Sequence, residues 1–338
     1  MVRHESVTTE CRSLAVNTAP PATLLLLGDI MLQGEAAKKA QDQGTLYPFA
    51  LVSKPFALYD RRFANLEVSI TARKSRWVKK KYTFRATPAQ AMSLLSLKLD
   101  VVSLANNHML DFGPRGLTDT MTWLTKHTIA FTGAGANSKA ARRGVTLDLK
   151  GTKAIFLAYN ERPPKSFFAT KRRPGTARLY EPQIIHDIKR LKKKDNLVFV
   201  SLHWGTEHTD IPRPYQVKRA HRLIRAGADA IIGHHPHRPQ SLEMYRGKPV
   251  IYSLGNFISG FANPLYRDNI AVVLHYKKTT LKKMEVLFLH GQMASRGYRP
   301  SIITDPAQVR ANFEHLKKIS RSFRLKAVLS GSKMIITP

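Results

Sequence analysis

The segment 231–237, which reads IIGHHPH, constrains this chain more than any other stretch. The apolar residues up to this point predict a buried strand that ends at Gly233. Three imidazoles, those of His234, His235 and His237, then fall within four residues. Histidine is the commonest metal ligand, and ligands of open α/β sheets bind beyond the carboxyl ends of the strands. The segment therefore indicates a metal site, with a solvated histidine-rich turn as the alternative if it is considered alone.

Four other polar clusters follow strand-like runs in the same way. They are Asp29, Glu67, Asn107 with His108, and His203. Because the carboxyl ends of parallel strands meet at one edge of a sheet, we expect these groups to converge. Carboxylates, an amide oxygen and imidazoles together suit a borderline or hard divalent metal such as Mn, Fe or Zn. A carboxylate shared among several imidazoles favours a two-metal site.

Helical and strand-like segments alternate through the first two thirds of the chain, and strands dominate afterwards. Helices are predicted over residues 35–43, 88–98, around 117–124, 182–194, 215–226 and 305–323. Strands are predicted over 23–27, 101–104, 129–132, 145–149, 154–158, 197–202, 228–232, 242–245, 250–254, 271–276 and 283–290. This order predicts a flexible N-terminal arm over 1–21 and a single α/β domain of layered sheets over 22–338.

The charge of the chain is strongly positive. Its 55 lysines and arginines against 23 acidic residues give a net charge of +32, which favours a polyanionic partner such as an acidic polymer, a nucleic acid or an anionic membrane surface. The basic segment Arg73–Lys81 is either a solvated loop or a basic lip that faces the substrate, and Lys165–Arg173 is a second basic loop. Trp77 alone is no stacking platform, so we do not expect a nucleic-acid partner.

The N-terminal segment and the single cysteine bear on localisation, on disulfide formation and on structural zinc binding. Met1–Ala19 has no apolar h-region, and residues 23–27 are far shorter than the roughly 20 residues that span a bilayer. We therefore expect no signal peptide and no transmembrane segment, and a protein that is cytoplasmic or peripherally associated with a membrane. Cys11 has no cysteine partner for a disulfide and leaves no thiolate set for a structural zinc site.

Six short motifs occur in order along the chain. They are GDIM at 28–31, NLE at 65–67, NNHMLDFGPRG at 106–116, HWGTE at 203–207, GHHPH at 233–237 and SLGNF at 253–257. With these motifs the chain resembles the bacterial capsule-synthesis family CapA/PgsA of poly-γ-glutamate biosynthesis, a branch of the calcineurin-like metallophosphoesterases. The resemblance implies a four-layer α/β/β/α sandwich of the metallophosphoesterase type, two divalent metal ions and metal-dependent phosphoester hydrolysis.

The resemblance also implies a metal ligand at each matched position. These ligands are Asp29, Glu67, Asn107, His203, His235 and His237. Asp29 and His237 would bind the first metal, and Glu67 would bridge the two metals. The other three would bind the second metal, with His234 as the alternative to His235.

The same resemblance assigns His108 as the general acid of the reaction. Asp111 would either orient the His108 ring or cap the helix that begins near Pro114. Glu207 and Asn256 would be hydrogen-bonding partners of the metal ligands, although Asn256 also suits a turn.

Two departures from the metallophosphoesterase pattern favour an alternative function. Met31 stands where those enzymes usually have a histidine, and a thioether is a poor ligand for a hard metal. NLE replaces the usual second aspartate motif. Both departures are shared with the capsule branch. The alternative is a non-catalytic binding or scaffold component for an acidic polymer such as polyglutamate, within a capsule synthesis complex, on the same fold. A nucleic-acid phosphodiesterase is the least favoured function.

Overall fold

The computed structural model of the protein describes residues 20–162 and 164–338. The arm predicted over 1–21 lies almost wholly outside these residues, and the division of the chain into an arm and one domain stays a prediction. Within the two described ranges no helix has both the length and the apolar character needed to cross a membrane.

The strands and helices of the described residues follow the predicted alternation. The strands are β1 Ala22–Met31, β2 Arg61–Leu66, β3 Ser69–Ile70, β4 Arg85–Ala86, β5 Val101–Ser103, β6 Ala130–Thr132, β7 Ala134–Gly135, β8 Val145–Leu149, β9 Thr152–Asn160, β10 Gly175–Thr176, β11 Asn196–His203, β12 Ala230–His234, β13 Leu242–Tyr245, β14 Lys248–Ile251, β15 Asn256–Ser259, β16 Asn269–Lys277, β17 Thr280–Leu289, β18 Ala327–Ser330 and β19 Lys333–Ile336. The helices are α1 Gly34–Asp42, α2 Ser53–Phe56, α3 Pro88–Ala91, α4 Gly113–Lys126, α5 Ser138–Ala141, α6 Glu181–Leu191, α7 Pro214–Arg225 and α8 Pro306–Ile319. Short 3₁₀ turns lie at Tyr47–Phe49, Met92–Leu97, Lys165–Phe167, Met293–Arg296 and Arg321–Phe323.

The larger sheet is built around β1. Its strand order is β18-β19-β17-β16-β1-β2-β5-β6, with β1, β2, β5 and β6 parallel to one another. β16 pairs with the first half of β1, over Ala22–Leu26, whereas β15 pairs with the second half, over Asp29–Met31. The pairing register of β1 shifts between Leu26 and Asp29, which is the mark of a bulge. This bulge lies directly before the first predicted metal ligand.

The smaller sheet has the order β13-β14-β12-β11-β9-β8. Its four inner strands are parallel, and the edge strands β8 and β13 are antiparallel to their neighbours. His203 at the end of β11 pairs in register with His234 at the end of β12. Two of the predicted histidine clusters therefore share one edge of this sheet.

Buried side chains pack the two sheets face to face. Leu24 and Phe63 of the larger sheet share one buried cluster with Phe156 and Phe199 of the smaller sheet, and the Phe63 and Phe156 rings stack 5.5 Å apart. Because strand side chains alternate between faces, the neighbouring residues point outward, toward helices. α1 and α4 cover the larger sheet, and α6 and α7 cover the smaller one. The predicted four-layer α/β/β/α sandwich is confirmed.

Some predicted boundaries were correct and others were wrong. The predicted hairpin of β8 and β9 is present, as is the antiparallel pair of β16 and β17. Thr87 caps α3 through its side chain as predicted, but α3 ends at Ala91. The chain then continues as a 3₁₀ turn that ends at Leu97, and the next residue, Lys98, has a left-handed φ of 49° that ends the helical path. The terminal helix α8 likewise ends at Ile319, before the predicted boundary.

Gly233 does not end the strand as predicted, because β12 continues to His234. A Cβ atom at Gly233 would lie 1.8 Å from the carbonyl oxygen of Tyr252, so this position requires glycine for the close approach of two backbones. The backbone N–H of Leu254 donates a hydrogen bond to the Gly233 carbonyl across this contact. Asp29 is likewise inside β1 and not beyond its end.

Candidate metal centre

The predicted polar side chains converge where the carboxyl ends of the two sheets meet. Oδ1 of Asp29 lies 3.0 Å from Nδ1 of His234, which links β1 of the larger sheet to β12 of the smaller one. The other oxygen of Asp29 accepts a hydrogen bond from the backbone N–H of His235, at 3.2 Å. Asp29 and Glu67 are both fully buried. Buried carboxylates are retained only when charges, hydrogen bonds or metals compensate them.

Two groups of metal-binding side chains share Glu67. One group is Asp29, Glu67 and His237, and the other is Glu67, His203 and His235. Within each group the ligand atoms lie within 4.8 Å of one another. A third group joins His235 and His237 to Glu207, whose side chain is 51% exposed. The group that contains Glu67 and His203 includes His235 and not His234.

Several atoms of this centre are buried without a hydrogen-bond partner. They are Oε1 of Glu67, Nε2 of His234, both ring nitrogens of His235 and Nδ2 of Asn256. A buried polar atom without a partner costs about 1–3 kcal/mol, so such a concentration needs an explanation. Divalent cations would satisfy the Glu67 oxygen and one lone-pair nitrogen on each of His234 and His235, whereas Nδ2 of Asn256 and the second ring nitrogen of His235 are donors that a cation leaves unpaired. The donor set therefore fits the metal ions that the family resemblance implies.

The backbone around the histidines is also strained. His235 has a φ of 96° and His237 a φ of 57°, in the left-handed region that residues other than glycine rarely adopt. Strain of this kind costs about 1–3 kcal/mol per residue and concentrates at functional sites. Pro236 lies between them and has a fixed φ of its own, which restricts the backbone that carries both rings.

Burial and neighbouring charges shift the pKa values of the two buried carboxyl groups, Asp29 and Glu67, in opposite directions. Burial favours the neutral form of Asp29, but hydrogen bonds and charges from His234 and His237 outweigh burial and hold its pKa well below the ordinary value. Burial together with the charge of Asp29 raises the pKa of Glu67 well above its ordinary value. In the metal-free chain Glu67 is therefore the carboxyl group that resists ionisation.

The pKa values of the imidazoles are also shifted in opposite directions. Burial lowers the pKa values of His203 and His235 well below the ordinary value, so both rings are neutral, which is the form that binds metals. Burial also disfavours charge on His237, but the Asp29 carboxylate, whose Oδ2 lies 3.5 Å from Nδ1 of His237, and the charge of Glu67 raise its pKa to about 9. His237 is thus the cation that balances the acidic groups of the metal-free centre.

His108 and Asp111 form a buried pair beside this centre. Nδ1 of His108 lies 2.7 Å from Oδ2 of Asp111, which also accepts a hydrogen bond from the backbone N–H of Phe84 at 2.8 Å. Burial lowers the pKa of His108 to about 4. The N-cap position of α4 is Phe112, which makes no side-chain cap, so Asp111 contacts the imidazole and not the start of the helix.

The remaining predicted residues lie at different distances from the ligands. Oδ1 of Asn107 is 2.7 Å from Nε2 of His203, and Oδ1 of Asn256 is 2.9 Å from Nδ1 of His237. Glu207 is farther away, because its nearest oxygen lies 3.9 Å from Nε2 of His235, which is too long for a hydrogen bond.

A cavity of about 630 Å³ opens onto the centre. It is lined at its inner end by Asn107, His108 and His237, and Met31 lines it beside them. The Met31 thioether is therefore close to the candidate ligands without adding a hard donor to them.

Sequence reasoning missed three residues that hold this site together. Nδ2 of Asn65 donates to Oδ1 of Asp29 at 2.9 Å, and Asn106 donates to Oδ1 of Asn65 at 3.2 Å. Both asparagines lie in quoted motifs, so their proximity to the ligands was the available signal. The third residue is Lys80, whose Nζ lies 2.9 Å from Oδ1 of Asp111 and 3.3 Å from Nδ1 of His108. Its only signal was the basic segment Arg73–Lys81.

Comparisons with known proteins agree on one family. The family model described as "Bacterial capsule synthesis protein PGA_cap" matches residues 23–261. The chain is 30% identical over 262 residues to the PGA biosynthesis protein CapA of Bacillus subtilis (strain 168), covering 77% of this chain and 69% of that protein. It is 35% identical over 208 residues to a probable polyglutamine synthesis accessory protein of Mycobacterium tuberculosis (strain CDC 1551 / Oshkosh), covering 58% of this chain and 55% of that protein.

A solved structure with a similar course of the chain is the 5'-nucleotidase precursor from Thermus thermophilus. It is 14% identical, covers 88% of this chain and 59% of that chain, and has a TM-score of 0.47. The fold assignment therefore rests on the sheets and layers described above.

Proposed function

The chain belongs to the bacterial capsule synthesis protein family PGA_cap, and on that premise we propose that it acts in poly-γ-glutamate capsule synthesis through a metal-dependent phosphoesterase site. The family named from the six motifs is thereby confirmed. The relatives named for PGA biosynthesis and for polyglutamine synthesis support a role beside an acidic polymer, within a synthesis complex. The observation that carries the hydrolytic part is the pair of buried ligand groups that share Glu67.

The centre would hold two divalent ions, each of Mn, Fe or Zn. Asp29, Glu67 and His237 would bind one ion. Glu67 would bridge to the second, with Asn107, His203 and His235 as its further ligands. When bound, such ions supply Lewis-acid stabilisation of charge on the phosphoryl oxygens and lower the pKa of water at the site.

His108 would move the proton that the reaction requires. Asp111 holds its Nδ1, which leaves Nε2 as the nitrogen free to face a substrate in the cavity. The ring is neutral in the free protein because burial lowers its pKa to about 4. A phosphoester anion beside the ring would raise that pKa, and the buried carboxylate of Asp111 would stabilise the imidazolium. Nε2 could then protonate the leaving oxygen.

The experiment that tests this function compares metal content with hydrolysis. We expect the purified protein to retain divalent metal and to hydrolyse a generic phosphodiester. In His108→Ala the metal content should be unchanged and kcat should fall by about 10²- to 10⁴-fold. In Glu67→Gln both the metal content and the turnover should be lost, because the shared ligand is removed. A wild-type protein that retains no divalent metal after incubation and desalting would exclude the site assignment.

A second function is favoured by one observation, the thioether of Met31 at the cavity where a histidine ligand is usual. On that alternative the chain binds an acidic polymer without hydrolysing it, and its net charge of +32 supplies the attraction. Metal retention without turnover, combined with polyglutamate binding that weakens steeply between low and high salt, would favour this function over hydrolysis.

A further inference from the structure

A continuous row of rings runs from the solvent to the imidazole of His108. Tyr82 and Phe261 lie at the mouth of the cavity, with their ring centroids 6.0 Å apart. Phe261 is 5.8 Å from Phe84, and Phe84 stacks on the His108 ring at 3.7 Å with an interplanar angle of 12°. The cavity thus has one wall of aromatic faces that ends at the candidate general acid.

The outer rings of this wall are exposed. Tyr82 is 53% exposed and Phe261 is 38% exposed, and Leu265 on the same cavity is 48% exposed. Large apolar side chains that cluster in a concave surface, and remain in water, usually mark a ligand-binding surface. The volume of about 630 Å³ lies within the range of about 300–1,000 Å³ for small-molecule sites.

Positive charge lies along the same wall. Nζ of Lys81 is 5.3 Å from the centroid of the Tyr82 ring, and Lys80 lies deeper, beside His108. Glu207 is the one carboxylate among the described residues that line the cavity, and its carboxylate oxygen lies 3.9 Å from Nε2 of His235. A ligand with an anionic end near His108 and a flat apolar end near Tyr82 would match both features.

We propose that this cavity binds phosphoesters whose leaving group carries a flat aromatic or heteroaromatic ring, with the ring against Tyr82 and Phe261. The proposal rests on the proposed function and names its substrate class. A γ-glutamyl polymer offers carboxylates and methylenes but no planar ring, so the aromatic wall recognises a small co-substrate and not the polymer. Ring stacking contributes about 0.5–1.5 kcal/mol beyond area burial, which is about a 2- to 10-fold change in affinity.

The test is equilibrium binding of three phosphonates that cannot be hydrolysed. Phenylphosphonate, cyclohexylphosphonate and methylphosphonate are titrated calorimetrically into the full-length Mn²⁺-loaded protein. We expect phenylphosphonate to bind about 3- to 10-fold more tightly than cyclohexylphosphonate, and methylphosphonate to bind most weakly. In the double variant Tyr82→Ala and Phe261→Ala, the phenyl and cyclohexyl affinities should agree within about twofold.

Tyr180→Ala is the matched control, because Tyr180 is 58% exposed and does not line the cavity. It should leave all three affinities unchanged. Thermal unfolding of each variant verifies that the fold is retained. Equal affinities for phenyl and cyclohexyl in the wild type would overturn the proposal, as would binding of none of the three. Failure to hydrolyse phenyl phosphate, with the phenyl preference intact, would instead count against the proposed hydrolytic function.

Discussion

The ammonium group of Lys80 lies 2.9 Å from Oδ1 of Asp111, a carboxylate that is fully buried. Lys80 also donates to the backbone carbonyl of Asn107 at 2.6 Å. The segment Arg73–Lys81 therefore does not lie free in solvent along its whole length, because its last residues form part of the cavity beside His108. The sequence left a solvated loop and a substrate-facing lip as alternatives, and these contacts favour the lip at its C-terminal end.

Lys80→Met should destabilise the protein, because it removes one charge partner of a buried carboxylate. Breaking a fully buried pair costs about 3–5 kcal/mol, and since the Lys80 side chain is 18% exposed we expect roughly 2–3 kcal/mol. Urea unfolding measures this loss. Lys81→Met is the control, since Lys81 is exposed and makes no ion pair among the described residues, and it should change the free energy of unfolding by less than about 0.5 kcal/mol. Equal losses in the two variants would contradict the pairing.

Replacement of His108 should affect phosphoesters according to their leaving group. If His108 protonates the leaving oxygen, His108→Ala should lower kcat by about 10²- to 10⁴-fold for an alkyl ester. It should lower kcat much less for a p-nitrophenyl ester, whose leaving group departs without a proton. Steady-state kinetics with both esters measures the difference. His127→Ala is the control, because His127 is the C-cap residue of α4 and does not line the cavity; a uniform loss for both esters in His108→Ala would remove the acid role from His108.

Glu67→Gln should stabilise the metal-free protein while it abolishes metal binding. Burial and the charge of Asp29 raise the pKa of Glu67, so the folded chain resists its ionisation. The resulting penalty is absent below the ordinary value of 4.5 and grows as the pH rises through the raised value. At pH 7 with EDTA, the variant should be roughly 1–3 kcal/mol more stable than the wild type.

Addition of Mn²⁺ should reverse this order. The wild type should gain stability with metal concentration, whereas Glu67→Gln should not, since it lacks the shared ligand. Thermal unfolding at pH 4 and pH 7, with and without Mn²⁺, measures both effects. A variant that gains as much from Mn²⁺ as the wild type would show that Glu67 is not a ligand.

Sequence motifs identify polar residues near strand ends, but they do not identify the side chains from distant segments that contact those residues. Asp29, Glu67, His203 and His235 could be named because each lies in a short motif within or directly after the last residues of a strand, and the carboxyl ends of parallel strands lie at one edge of a sheet. Lys80 could not be paired with Asp111 in advance, because the two residues are 31 positions apart and their contact depends on how the loop that carries Lys80 folds back. Basic segments look alike in sequence whether they are solvated or folded over a site.

Some local backbone features could be predicted and others could not, depending on whether they are set by neighbouring residues or by a tertiary contact. Thr87 and Gln90 form a capping box that needs only residues three apart, so the start of α3 could be predicted. The role of Gly233 could not, because a glycine after an apolar run usually indicates a strand end. Here its missing side chain admits the carbonyl of Tyr252, the residue that follows β14, and this is a tertiary contact that the local sequence does not reveal.

The ionised carboxylate of Glu285 should stabilise the folded protein at neutral pH, and this stabilisation should be lost in acid. Burial favours its neutral form, but hydrogen bonds from Lys283 at 2.6 Å and Lys333 at 3.1 Å outweigh burial and hold its pKa below the ordinary value of 4.5. Its contribution is therefore present above about pH 4.5 and is lost as the pH falls through the lowered value. Glu285→Gln should cost about 1 kcal/mol at pH 7, since both lysines are partly exposed, and much less at pH 3. Urea unfolding at the two pH values measures the difference. Glu314→Gln, at an exposed position of α8, should show no such dependence, and a Glu285→Gln cost that is equal at both pH values would show that the ionised carboxylate does not contribute this stability.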